Sequence, residues 1–262
     1  MGPNALLADG LASGVGSGAV SELSGAGTSH DTCGYCKLSL MARQQNFPDL
    51  LSLLKTYLFP TPELRAIYEL YARLCRATGY SLTVETFGAS HHPGPLSTSL
   101  GRLTRKAATS PLKGTYLYLF TRLHKPQRLL ELGTHLGLGT LYLYAAAPKA
   151  DIHTIEASTT LAMYARRHFA LLGARIHIHT GEFSEILSTL SGLWDIIYID
   201  GDHRGSALQS YIARLYPHLR EGGWFVCDDI YWSRDMWRSW QKLRRGQWKQ
   251  VHTIYPFGFL QK

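Results

Sequence analysis

The chain is poor in cysteine. Four residues in 262 are few for a disulfide framework, and Cys33-Gly-Tyr-Cys36 has no second pair at zinc-ligand spacing downstream, so the thiols read as incidental. No apolar run approaches the length that spans a bilayer, and no membrane association is expected. Nor does a basic segment precede the opening Ala/Gly/Leu stretch, which Asp9 and many Gly and Ser interrupt. A secretory signal is therefore not expected, and a cytoplasmic location follows by default. Charged residues make up only 18%, and the shortfall is in acids: 19 Asp and Glu against 27 Lys and Arg leave a net charge of +8. That excess raises nucleic acid as a partner, but net charge alone specifies none, and a solvated basic face is the plainer reading. At 45% hydrophobic, the composition is that of an ordinary globular protein with enough apolar side chains for a sizeable core.

Residues 1–40 are rich in Gly, Ser and Ala with almost no aromatic content, too little apolar surface to offset the entropy of ordering, and read as a disordered tail. Met41, just ahead of the first patterned segment, is a candidate translation start. Leu50, Leu51, Leu54, Tyr57 and Leu58 keep helical spacing until Pro60 stops it. A second helix follows with Thr61 as N-cap and Pro62 at its first position. Leu64, Ile67, Tyr68, Tyr71 and Cys75 form one face before Gly79. Between Gly88 and Thr115, a run of Gly, Ser, Pro and basic residues that includes His91, His92, Arg102, Arg105 and Lys106 predicts a long loop with short helices. Residues 41–124 thus read as an N-terminal helical cap and loop that roofs the domain formed by residues 125–262.

From there, apolar or β-branched runs at Arg128–Leu132, Asp151–Glu156, Arg175–Thr180, Trp194–Asp200 and Gly223–Asp228 alternate with helical patterns. Strand, helix, strand in repetition predicts a doubly wound α/β fold with a mostly parallel sheet. The last two strand-like runs, Lys249–Tyr255 and Phe257–Gln261, are separated by almost nothing and predict a terminal antiparallel hairpin.

Ligands of open parallel sheets bind beyond the carboxyl ends of the strands. The first run ends in Glu131-Leu-Gly133-Thr134 and passes through Gly137 and Gly139 into a helix, whose free N–H groups suit a carboxylate or phosphate. A dinucleotide turn would be G-x-G-x-x-G. Here His135 stands where a glycine is expected, which weakens a nicotinamide reading. The second run ends in Glu156-Ala157, where a carboxylate can accept from two vicinal ribose hydroxyls. The third ends in Gly181-Glu182-Phe183, placing an acceptor for an adenine amino group beside a ring that can pack on the base, although Glu182 also suits a helix start. The fourth closes with Asp200-Gly-Asp202-His203 and the fifth with Asp228-Asp229; if those strands are neighbours, their ends lie roughly 5 Å apart. Crowded carboxylates repel unless a cation joins them or some take up protons, and oxygen-only ligands suit Mg²⁺ or Ca²⁺.

This order of motifs resembles the class I S-adenosylmethionine-dependent methyltransferases over about Arg128 to Lys262. The resemblance implies a Rossmann-like, mostly parallel seven-stranded sheet whose last strand is antiparallel. It also implies a cofactor site of Glu131, Gly133, Thr134, Gly137, Gly139, Glu156, Ala157, Glu182, Phe183 and Asp200. Asp-Gly-Asp followed by Asp-Asp is similar to magnesium-dependent O-methyltransferases of the catechol and sugar types, and Asp228-Asp-Ile-Tyr-Trp-Ser233 to a bacterial methyltransferase group. By that likeness Asp200, Asp228 and Asp229 would hold Mg²⁺, while Asp202 falls at the general-base position and His203 where catechol enzymes place a lysine. Asp229 stands where those enzymes carry Asn, and no Asn-Pro-Pro-Tyr motif follows the fourth strand, which argues against methylation of a base nitrogen.

The expected function is methylation of a small-molecule hydroxyl, by a chain that can also pair as a homodimer. The alternatives are an RNA or protein methyltransferase with a basic face built from Arg102, Arg105, Lys106, Arg234, Arg238, Lys242, Arg244 and Arg245, a non-catalytic module that keeps the cofactor fold, and a nicotinamide oxidoreductase.

Overall fold

The computed structural model describes residues 46–86 and 94–262. The expected tail over residues 1–40, Met41, the Cys33–Cys36 pair and His91–His92 lie outside them. Helix α1 (Leu50–Leu58) starts where the Asp49 side chain accepts from the Ser52 N–H at 2.8 Å. Its apolar residues stay largely on the surface, with Leu50 70% and Leu58 64% exposed. Helix α2 (Pro62–Arg76) begins as the sequence predicts, with Thr61 as N-cap and Pro62 in its first turn, and buries Leu64, Ile67, Leu70 and Leu74.

Within the stretch expected as a long loop with short helices, the described residues 94–115 are largely regular structure, the short helices among them. Strands β1 (Ser81–Thr86) and β2 (Gly94–Ser99) form an antiparallel hairpin, and helices α3 (Leu100–Ala107) and α4 (Pro111–His124) follow. Polar Ser and Thr on the strands hid the hairpin, because it buries only one face through Leu82 and Val84. Helix α4 belongs with the sheet: Tyr116, Leu117 and Phe120 pack in one cluster with Leu129, Ile196, Tyr198 and Trp224. The boundary expected at residue 125 therefore falls behind a helix that helps form the core.

The predicted alternation then unfolds in order: β3 (Arg128–Leu132), α5 (Leu138–Ala146), β4 (Asp151–Glu156), α6 (Thr159–Leu171), β5 (His177–Thr180), α7 (Phe183–Ile186), β6 (Trp194–Ile199), α8 (Gly205–Leu215), β7 (Leu219–Cys227), α9 (Arg234–Leu243), β8 (Gln250–Ile254) and β9 (Phe257–Gln261). The sheet order is β5-β4-β3-β6-β7-β9-β8, parallel from β5 to β7, with β9 antiparallel to both β7 and β8. Strand β7 starts four residues earlier than the run Gly223–Asp228 suggests, because its register with β6 jumps between Trp194 and Ile196 and absorbs the glycine pair. One sheet face packs Leu130, Leu132, Ile197 and Phe225 against Leu208 and Ile212 of α8 and Trp240 of α9. A third cluster joins Leu64 and Ile67 of α2, Val84 of β1 and Leu138 and Leu141 of α5. Burying one such leucine contributes on the order of 2 kcal/mol. Among the described residues no helix is long and apolar enough to cross a membrane.

This order reverses between β3 and β6, so their carboxyl ends splay apart and open a crevice there.

Candidate active site

At the reversal, the Asp200 N–H donates to the Leu132 carbonyl at 2.9 Å, and the Asp228 N–H to the Ile199 carbonyl at 2.9 Å. The ladders thus extend one residue past the strands and bring the expected site residues into line. Gly133 has φ +100°, and a Cβ there would overlap the Asp200 carbonyl, so glycine is required both by conformation and by the approach of β6. The glycines of this turn serve the chain's own close contacts: Gly137 lies against Phe169, and a Cβ at Gly139 would come 2.9 Å from Glu131 Oε1. His135 holds a positive φ of 52°, the conformation for which the sequence suggested glycine.

A cavity of 610 Å³ lies beyond these ends, lined by Gly133, His135, Glu156, Ala157, Glu182, Phe183, Asp200 and Asp202 among others. Val84 and Glu85 of β1, Leu96 of β2 and Leu103 of α3 line its other side. Glu156 is 8% exposed, and its carboxylate accepts from the backbone N–H groups of His135 at 2.7 Å and Ser158 at 2.9 Å. Burial nevertheless raises its pKa. The two N–H bonds fix the carboxylate at the mouth of β4 with lone pairs left for a diol. Beside it, the Ser158 hydroxyl donates to Glu85 at 2.6 Å, and this bond holds the Glu85 carboxyl below its usual range. Glu182 stands at the N-cap position of α7 without a side-chain capping bond, and the Phe183 ring lies edge-on to Tyr211 at 5.5 Å.

Glu131 and Thr134 lie beneath the loop. Glu131 is fully buried and accepts from the hydroxyls of Thr140 and Thr154, the latter at 2.5 Å, while its Oε1 has no protein partner. Burial pushes its pKa up to about 7. Thr134 meets Thr154 at 2.6 Å and, with Gly139 and Asp200, borders a small recess off the loop. Both imidazole nitrogens of His135 are buried without a protein partner, and burial holds that ring's pKa down to about 4.

The expected quartet of carboxylates divides. Asp200, Asp228 and Asp229 come together around the ammonium of Lys113, from the first turn of α4, which lies 2.7 Å from Asp228 and 3.4 Å from Asp229. The Tyr198 hydroxyl donates to Asp228 and lies 3.1 Å from Asp200, and the Asp229 N–H donates to Asp228 at 2.7 Å. Burial pushes Asp200 up to about 7 and Asp228 up to about 8, Lys113 pulls both down, and the carboxylates raise the ammonium's pKa in return. Three carboxylates around one ammonium leave the cluster short of positive charge, so it holds protons into the neutral range.

Asp202 stands apart from that group. Its oxygens each accept from the Arg204 guanidinium at 2.7 Å, and Tyr211 lies 3.2 Å away. Doubly engaged by a fixed cation, it is poorly disposed as the base the sequence suggested. His203 faces the cluster instead, 3.9 Å from Asp200, with Trp232 at 5.4 Å between ring centroids. Burial lowers its pKa.

The set expected to hold magnesium also changes. The groups that converge within 4.8 Å are Asp200, His203 and Asp229, whereas the oxygens of Asp228 are taken by Lys113, Tyr198 and the Asp229 N–H. An imidazole in the set suits a first-row transition ion better than magnesium, which prefers oxygen ligands. Sequence reasoning missed Lys113, Glu85 and Tyr198. The first lies 115 positions before Asp228 without a motif of its own, and the last reads simply as an apolar strand residue.

A crevice at the strand-order reversal, a carboxylate at the end of the second core strand and a glycine turn after the first make up the arrangement at which open α/β sheets take up nucleosides. Residues 130–230 match the family described as a methyltransferase domain. An O-methyltransferase of Aspergillus hancockii is 39% identical over 131 residues, covering 47% of this chain and 51% of the relative. A catechol O-methyltransferase of Niastella koreensis is 33% identical over 130 residues, covering 47% of this chain and 58% of that one. The chain thus spans little more than half the length of these relatives. The SAH-bound methyltransferase of Podospora anserina shares the fold at a TM-score of 0.57 and 18% identity, over 91% of this chain and 99% of that one.

Proposed function

We propose that the protein methylates a hydroxyl group of a small molecule with S-adenosylmethionine as donor. The observation that carries this reading is one cavity that meets two differently prepared strand ends, Glu156 held by two backbone N–H groups and Asp200, the member of the Lys113 cluster that lines the cavity. Glu156 would take the ribose hydroxyls, Glu182 and Phe183 the adenine, and the Gly133 turn, with the buried Glu131 beneath it, the amino-acid end. Ala157, Thr134 and Gly139 would shape the walls, and Gly137 the turn behind them against Phe169. When bound, the donor supplies a methyl group that is already electrophilic at its sulfonium. The chain must align an acceptor oxygen in line with it and remove that oxygen's proton.

His203 is the group we assign to the proton, since its ring faces the cluster while Asp202 is held by Arg204. The ammonium of Lys113 favours the oxyanion that results. Exposed Tyr231 and Trp232, the latter beside His203, offer flat apolar surface for an aromatic acceptor.

A second reading, favoured by the convergence of Asp200, His203 and Asp229, is that a divalent cation acidifies the acceptor hydroxyl there. Turnover with a catechol acceptor, measured after exhaustive chelation and again after adding Mg²⁺ or Mn²⁺, separates the two. Activity that survives chelation supports the Lys113 and His203 reading. Loss that a cation restores supports the second. A protein that binds SAH but methylates no hydroxyl acceptor across a panel of phenols and sugars contradicts both.

A further inference from the structure

Far from the crevice, near the amino-terminal ends of β4 and β5, imidazoles gather around one carboxylate. The register pairs His153 with His177 and Ile155 with His179, so the three rings share one face of the sheet, together with Asp151. Their side chains stack: His153 lies 4.6 Å from His177 and 5.1 Å from His179 between ring centroids. Asp151 Oδ1 is 3.0 Å from His153 Nε2 and 3.5 Å from His177 Nε2, and the three atoms lie within 4.8 Å of one another.

We propose that Asp151, His153 and His177 form a metal site for a divalent first-row transition ion, with zinc as the type ion. Ligands bound to zinc at about 2.0–2.1 Å in a tetrahedron are separated by about 3.3 Å, and the two separations from Asp151 straddle that value. Two imidazoles and a carboxylate select zinc, cobalt or nickel over magnesium and calcium.

Supporting contacts are in place. Arg128 Nε holds the other oxygen of Asp151 at 3.0 Å, and its guanidinium lies 4.2 Å over the Trp194 ring. His153 Nδ1 lies 2.9 Å from His179 Nε2. With the ion on His153 Nε2, the proton of His153 moves to Nδ1 and is donated to His179, whose own proton moves to its Nδ1. No proton is gained or lost, and His179 becomes the partner that orients the ligand ring. The His177 side chain is 66% exposed, which gives an ion access and leaves a coordination position for water. An ion here would tie the edge strand β5 to β4.

The test is calorimetric titration of the full, chelator-stripped chain with Zn²⁺, repeated on His177→Ala and on Asp229→Asn, with Co²⁺ absorption as a second readout of ligand type. One Zn²⁺ per chain, weakened at least tenfold in His177→Ala and kept in Asp229→Asn, is the expected result. Circular dichroism confirms that the surface variant folds. The proposal is overturned by an absence of binding at millimolar Zn²⁺, or by binding that His177→Ala leaves untouched. Binding that only Asp229→Asn removes places the ion in the crevice and equally overturns it.

Discussion

Glu131→Gln probes the buried carboxyl under the glycine turn. Glu131 is fully buried with a pKa near 7 against an ordinary 4.5, so the folded chain holds its proton more tightly than the unfolded one. For an acid shifted upward, stability is full below pH 4.5 and falls as pH rises toward 7. At 1.36 kcal/mol per pH unit of difference in pKa, the wild type loses on the order of 2–3 kcal/mol through this group between pH 5 and pH 8. Glutamine cannot titrate, yet it can still accept from the hydroxyls of Thr140 and Thr154. The variant should therefore gain on the order of 2–3 kcal/mol on the wild type across that interval, or about 5–10 °C in Tm for a domain of this size. Subtracting the two curves removes the titration of Asp200 and Asp228 common to both. Urea unfolding followed by circular dichroism at pH 5, 6.5 and 8 gives the difference directly. A wild-type-minus-variant stability that stays flat within about 0.5 kcal/mol would show that Glu131 is ionised throughout, and the burial argument would fail.

Three further outcomes follow from the same geometry. Gly133→Ala must place a Cβ into the Asp200 carbonyl at a positive φ, and should lose at least about 2 kcal/mol of stability in a chemical melt. Lys113→Met removes the cation paired with Asp228 and Asp229, and should lower kcat at least tenfold while SAH affinity measured by calorimetry stays within about twofold. An equal loss of both would mean that the residue serves folding alone. Glu156→Gln keeps the shape but weakens a charge-assisted contact to the ribose, so the Kd for SAH should rise about tenfold, or about 1.4 kcal/mol.

The sheet domain was legible in the sequence because its signals are local. Apolar runs at Arg128–Leu132, Asp151–Glu156 and Trp194–Asp200 become strands β3, β4 and β6, the last ending one residue earlier at Ile199, and the residues just after each strand line the crevice. The hairpin β1–β2 was not legible, since Ser, Thr and Pro on a strand with one half-buried face look like a loop. His135 shows the limit from the other side: the pattern asked for glycine, and the backbone takes the glycine conformation with a histidine in place.

Sequence alone determined that Glu156 and the Asp200, Asp228 and Asp229 carboxylates stand at strand ends, because strand ends are set by the local apolar pattern. Only the tertiary structure decided which partners they meet. Helix α4 carries Lys113 into the acidic cluster, Arg204 closes on Asp202, and His203 replaces Asp228 among the groups that converge. A charge pairs with whatever folding brings within a few ångströms, and sequence distance has no bearing on that energy.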